Sequence, residues 1–260
     1  MNIKEVIDAL ERFAPLPLQE SFDNAGLQVG LTEAQVSGAL LCLDVNEQII
    51  DEAVSRGCNL VVSHHPLIFH PLKRISGDDY VQRTVASAIR HGITVVAMHT
   101  NMDNAPGGVN FKMAEKLHLT DVTFLGSEAR EAGHGSAVIG SLPQPLTAER
   151  FITLIKEAFE ASSAMCNAPL PRPIQRVALC GGAGSFLLDK AIAEGADAFI
   201  TGEMHYHEYF GHDGQIQIAV LGHYETEHYT SEIFQSIIKE ACPGVRTCIA
   251  QTVTNPIKYC

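Results

Sequence analysis

The sequence predicts an α/β protein built from two similar halves with mixed, mainly parallel sheets, and three observations predict it. Apolar runs of strand length alternate with amphipathic segments of helix length. Several of those runs end in histidines or acidic residues, at the strand ends where open α/β sheets bind ligands. A pattern from the first half of the chain also returns in the second.

Residues 2–13 have helical spacing, with Ile3, Val6, Ile7, Leu10 and Phe13 on one face and Asn2 as the cap. Pro15 and Pro17 end that helix. Residues 21–30 form a polar turn running into a short strand. A strand follows over 38–43. The helix over 47–56 buries Ile49, Ile50, Ala53 and Val54 and stops at Gly57. Residues 59–67 form a β-branched strand that ends in His64 and His65 and is closed by Pro66. The next helix, over 79–91, buries Val81, Val85, Ala88 and Ile89. A strand over 93–98 then leads into His99, Asp103 and a glycine-rich loop, followed by a helix near 109–117.

The middle of the chain has a different texture. A strand is expected over 136–142, and Thr147 caps a helix with Phe151, Leu154, Ile155, Ala158 and Phe159 facing inward. Pro169, Pro171 and Pro173 read as a boundary linker. The first pattern then returns. Leu41-Cys42, Asp51 to Val54, Gly57 and Val61 to Ser63 are echoed by Leu179-Cys180, Asp189 to Ile192, Gly195 and Phe199 to Thr201. The strand leading to His99 and Asp103 is echoed by one leading to His223 and Glu227. The expected organisation is a first half over 1–120, an intervening segment over 121–172 and a second half over 173–260.

A net charge of -12 with no basic stripe excludes a general binder of nucleic-acid backbones. No apolar run approaches the roughly 20 residues that span a bilayer, and the N-terminus has no signal-peptide pattern. The seven cysteines form no CxxC pair and suit a reduced, cytoplasmic protein, most as small core residues.

The chemistry lies at four strand ends: His64 with His65, His99 with Asp103, Glu203 with His205 and His207, and His223 with Glu227. Imidazole and carboxylate donors without thiolates suit Zn²⁺, Mn²⁺, Fe or Ni. His223 and Glu227 share one face if the chain turns helical there. Adjacent histidines in extended chain point to opposite sides, which favours two ions over one chelate. His70, His91, His118, His134, His212 and His228 read as ordinary surface or core residues. The run Gly181-Gly182-Ala183-Gly184-Ser185 lacks the lysine of a P-loop, so tight turning explains it better than phosphate binding.

The motifs SFDNAGLQVG (21–30), VVSHHPLIF (61–69), AMHTNMDNAPGGVN (97–110), DAFITGEMHYHE (197–208) and LGHYETE (221–227) together resemble the Nif-three-like dinuclear-metal family. Its members carry the name GTP cyclohydrolase I type 2 homologs. The resemblance covers nearly the whole chain and matches the compact bacterial form, without the long middle insert of some members. It implies two divalent ions per subunit held by His64, His65, Asp103, His223 and Glu227, with His99 behind them. It also implies a fold of paired α/β halves and a toroidal homohexamer. One departure is Phe22, where many members have tryptophan.

On this reading the protein is a metal-dependent hydrolase acting on a small, nucleotide-type substrate, with water made reactive by the ions and a proton moved by Glu203, His205 or His207. The rival class is a non-catalytic metal carrier or assembly protein, which open N/O sites fit equally well.

Overall fold

Helix α1 (Ile3–Phe13) forms where the apolar spacing predicts it, and its start is closed by a reciprocal cap. Asn2 Oδ1 accepts from the Glu5 amide at 3.0 Å, and Glu5 Oε2 accepts from the Asn2 amide at 2.7 Å. Residues 1–259 are described by the computed structural model, so Cys260 lies outside the described residues. Contacts divide the chain into two units, one of Met1–Ala105 with His228–Pro256 and one of Pro106–Glu227 with the residues from Ile257.

The first unit continues with β1 (Gly26–Val29), β2 (Ala39–Cys42), α2 (Glu47–Ser55), β3 (Leu60–Ser63), α3 (Tyr80–Arg90), β4 (Thr94–Ala97) and the short α4 (Thr100–Asn104). Asn46 and Asp79 cap α2 and α3, accepting from the amides of Ile49 and Gln82. Strands β2, β3 and β4 are parallel, in the register Leu40 to Val61 to Val95. All their residues are buried, as parallel strands covered on both faces require. Removing Val61 to alanine would leave a cavity worth about 2 kcal/mol. Two expected core residues face out instead: Val54 is 44% exposed and Ile89 58%. Each follows a core-facing alanine, Ala53 or Ala88, and so lies about 100° further round its helix.

The second unit begins with α5 (Val109–Lys116), β5 (Thr120–Phe124), α6 (Ser127–Ala132), β6 (Val138–Leu146), α7 (Ala148–Ala158) and β7 (Met165–Cys166). It continues with β8 (Ile174–Cys180), α8 (Leu188–Ala193), β9 (Ala198–Thr201), β10 (Gln217–Val220) and α9 (His223–Glu227). Its sheet has the order β5-β6-β8-β9-β10-β7. Only the central β8, β9 and β10 run parallel. Helix α10 (Thr230–Ala241) and β11 (Thr247–Ile249) return to the first unit, whose sheet order is β1-β4-β3-β2-β11.

The boundaries expected at 120 and 172 therefore differ from those the contacts make. The middle segment contributes β5, β6 and β7 to the second sheet, and the chain's last helix and strand cross back to the first. The echo itself is present: each unit has three consecutive parallel strands, and each third strand runs into a five-residue helix. Among the described residues no helix is long and apolar enough to cross a membrane.

Asp197 sets the start of the second parallel trio. Its Oδ2 accepts from the amides of Gln175 at 3.0 Å and Arg176 at 2.8 Å, and the Arg172 guanidinium pairs with Oδ1. Burial works to raise its carboxyl pKa, but these donors outweigh it and hold the group below its ordinary value. The folded-state pKa is depressed, so the stabilisation is present above the unfolded value near 4 and is lost as pH falls through the folded one. Asp197→Asn is expected to cost about 1–2 kcal/mol at pH 7. The gap from wild type should narrow below about pH 4, as read by denaturant melts across pH.

Candidate metal centre

In the first unit the site begins where β3 ends. Strand pairing stops at Ser63, whose hydroxyl donates to the His65 carbonyl at 2.8 Å and bends the chain. His64 and His65 thus leave the extended conformation, and their rings lie 5.0 Å apart at 48°. They do not point to opposite sides, as an extended strand would make them. Helix α4 brings the next residues. Asp23, whose side chain is fully buried, accepts from the Thr100 amide at 3.0 Å and its hydroxyl at 2.5 Å through Oδ2, and bonds His99 Nδ1 at 2.7 Å through Oδ1. One carboxylate therefore caps the helix and orients the histidine before it. Burial opposes its ionisation, yet the His99 and Thr100 hydrogen bonds bring its pKa down to about 2. Asn101 and Asn104 donate to the carbonyls of Ala14 and Leu18 and fasten α4 to the chain that follows α1.

The ligand-type atoms of His64, His65 and His99 all lie within 4.8 Å of one another. Asp103, one turn into α4, has Oδ1 3.6 Å from His64 Nε2. His64 is fully buried, with Nδ1 bonded to the Met98 carbonyl at 2.9 Å. His65 Nδ1 meets Asp44 Oδ1 at 2.7 Å. Burial raises the Asp44 carboxyl, but the His65 contact leads the interactions that hold it below its ordinary pKa.

The second unit repeats the device with other residues. The Leu221 amide bonds the Thr201 carbonyl at 3.1 Å, as the Met98 amide bonds that of Ser63 at 2.9 Å. Beyond β10 the chain does turn helical, so His223 and Glu227 share a face of α9, with Nε2 3.0 Å from Oε2. His223 Nδ1 bonds Glu203 Oε1 at 2.8 Å. The Gly182 carbonyl accepts from the amides of Gly202 at 2.8 Å and Glu203 at 2.9 Å, so the glycine turn positions Glu203. Glu203, His205 and His223 line a cleft of about 430 Å³, with Met165, Met204 and Leu221 among its apolar walls. His205 is exposed there. His207 stands with Tyr206 and Phe210, its ring stacked on Phe210 at 6.1 Å.

The donor set fits divalent cations. In all four imidazoles Nδ1 faces an oxygen that can only accept: Met98 O, Asp44, Asp23 or Glu203. A proton therefore belongs on Nδ1, and Nε2 is the nitrogen that would coordinate an ion, the arrangement of metal-binding histidines. For His64 and His223, Nε2 lies 3.6 and 3.0 Å from a carboxylate oxygen, a spacing that a protonated imidazole or a cation bound there would each make favourable. Space is kept for this. A Cβ on Gly182, where φ is +58°, would lie 2.3 Å from Glu227 Oε1 and 3.2 Å from His223 Nε2.

Sequence spacing selected nine residues at four strand ends, the family resemblance implied His64, His65, Asp103, His223 and Glu227 as the ligands among them, and each unit gathers its own members of that set. It overlooked Asp44, which follows β2 without any histidine near it in sequence, and it quoted Asp23 only within a motif. An acidic residue just beyond a strand, parallel to one that ends in histidine, is the signal that finds Asp44.

The sequence model of the family described as Duf34/NIF3 (NGG1p interacting factor 3) matches residues 1–256. A Clostridium acetobutylicum protein named GTP cyclohydrolase 1 type 2 homolog is 30% identical over 268 residues, covering 100% of this chain and 99% of its own. A Lactococcus lactis protein of the same name is 32% identical over 267 residues, covering 98% of each. Two solved structures share the fold at 24% identity, each match covering 100% of this chain and 99% of theirs. One is a Bacillus cereus protein related to NIF3, with a TM-score of 0.89. The other is a Staphylococcus aureus hypothetical protein, at 0.91. With the motifs, the fold and these relatives agreeing along the chain, the protein belongs to the Duf34/NIF3 family.

Proposed function

We propose that the protein holds two divalent metal ions through His64, His65, Asp103, His223 and Glu227 and hydrolyses a carbon–nitrogen bond in a nucleotide-type substrate. The observation that carries this reading is the shared geometry of His64, His65, His99 and His223, each with Nδ1 against an oxygen acceptor, together with the Asp103 and Glu227 carboxylates beside His64 and His223. Three imidazoles and two carboxylates suit zinc, manganese, iron or nickel and leave positions open on a pair of ions. When bound, the ions would supply Lewis acidity that makes water reactive near neutral pH.

The chain's own residues do the rest. Glu203 orients His223 rather than acting alone, because its Oε1 is committed to Nδ1. His205, exposed in the cleft, is the side chain we assign to proton transfer. A purine ring would lie against Met165, Met204 and Leu221. The nucleotide class follows the names of the relatives. One observation favours the carrier reading instead: among the described residues that line the cleft there is no lysine or arginine, so a phosphate chain there would meet no side-chain cation. A carrier would surrender its ions to an acceptor faster than it turned over any substrate. The family resemblance supports a homohexamer, and the scattered cysteines without a CxxC pair support a cytoplasmic protein.

Elemental analysis of purified protein is expected to find two divalent ions per chain. His64→Ala and Glu227→Gln should each lower metal affinity at least about tenfold. Wild-type affinity in both would remove these residues as ligands. Chelation should lower the melting temperature, and added metal at 100 times its Kd should restore about 2.7 kcal/mol.

Metal-loaded protein is expected to consume GTP, followed by chromatography, and to stop when stripped. Unchanged GTP would remove that substrate while leaving the metal site standing. A His64→Ala variant that loses metal but hydrolyses normally would remove the mechanism. Light scattering should give the mass of six chains, and a monomer mass would end the hexamer proposal.

A further inference from the structure

The chain's last residues before Pro256 run along the first unit in a way that neither metal binding nor the fold explains by itself. Strand β11 pairs in parallel with β2, Ile249 opposite Leu41, and the Ala250 amide continues the ladder to the Leu41 carbonyl at 2.8 Å. Regular pairing ends there, but the chain does not leave. The amides of Gln251 and Thr252 donate to the two oxygens of Glu52 at 2.8 and 2.9 Å. Glu52, on α2, is itself paired with Arg56 at 2.9 Å. Two residues later the Thr254 hydroxyl donates to Asp44 Oδ2 at 2.6 Å. Asp44 Oδ1 is the oxygen side that meets His65 Nδ1 at 2.7 Å.

Parallel pairing accounts for this meeting. Asp44 lies just beyond β2, and a tail that follows β2 in register arrives beside it. The two oxygens of Asp44 are thus divided between a threonine and a histidine far apart in sequence. A carboxylate bonded through one oxygen alone can rotate about its Cβ–Cγ bond. Bonded through both, its plane is fixed, and with it the direction of the His65 ring.

We infer that Thr254 is a positioning residue of the metal centre: its hydroxyl locks Asp44, and Asp44 holds His65 with Nε2 aimed for coordination. The C-terminal tail, pinned by Glu52, is then a working part of the site. This rests on the assignment of His65 as a metal ligand, so its test has one arm that needs no metal.

The variants are Thr254→Val, which keeps the shape and removes the donor, and Thr254→Ser, which restores it. Zinc affinity is measured by competition with a chromogenic chelator, and the metal-free melting temperature checks folding. Thr254→Val should weaken zinc binding about tenfold, with Thr254→Ser within about twofold of wild type and all melting temperatures alike. In the second arm, ¹⁵N spectra of the metal-free protein follow the His65 Nδ1 proton. It should be protected from exchange in wild type and Thr254→Ser, and lost in Thr254→Val. A Thr254→Val protein that keeps that proton protected overturns the inference, as does one that binds zinc like wild type. Should wild type bind no zinc, the metal reading fails by itself, and the imidazole proton alone decides the relay.

Discussion

The histidine clusters depend on one hydrogen bond, made three times in the first unit and once in the second, from an imidazole Nδ1 to an oxygen that cannot donate. A histidine without that bond samples two tautomers and several ring orientations, and only one of these presents Nε2 where it is needed. Met98 O, Asp44, Asp23 and Glu203 remove the choice for His64, His65, His99 and His223 respectively. Three of the four partners are carboxylates, which fix the orientation of the ring they hold. The acceptors are held in turn. Met98 is locked through its amide to Ser63, Asp23 by Thr100, and Glu203 by the Gly182 carbonyl. The sheets matter functionally because they deliver these acceptors to the ends of their neighbours.

The duplication explains why the same device occurs twice with different side chains. In each unit the third parallel strand leaves a hydroxyl-bearing residue of the second through a backbone bond, Met98 from Ser63 and Leu221 from Thr201. In the first unit the residues after the hydroxyl are the two histidines. In the second they are Gly202 and Glu203, and the imidazole comes from the helix. What is kept between the halves is the backbone frame, and what differs is which position on it carries the donor.

Much of this was legible in the sequence because it is local. Caps such as Asn2 and Thr147 act within a few residues, and the helical relation of His223 and Glu227 follows from a spacing of four. The five proposed ligands were among the histidines and acids that follow apolar strands, and the family motifs singled them out. What stayed hidden depends on chain distant in sequence. The bend at Ser63 uses a side-chain hydrogen bond that no periodicity encodes, and it brought together two rings that an extended strand would separate. Asp44 looked like any surface acid until β2 and β3 were paired. The crossing of α10 and β11 back to the first unit was invisible for the same reason, since strand partners are chosen by the whole sheet.

The glycine run at 181–184 shows how a weak motif can be read correctly and still incompletely. Tight turning does account for it, since Gly182 has φ +58°. Yet the turn could be made at that place with a side chain, at the cost of strain of order 1–2 kcal/mol. The contact with Glu227 could not. A methyl group there would lie inside the carboxylate's own volume, pushing Glu227 off the face it shares with His223. The freed carbonyl is put to use as well, accepting from the Thr201 hydroxyl at 3.0 Å and from the amides of Gly202 and Glu203. The His223–Glu227 pair of the second unit is therefore built around an absent side chain. A phosphate cradle would turn amides toward its ligand, whereas the Gly182 carbonyl here gathers amides to itself, and the groups it stands among are Glu203, His223 and Glu227.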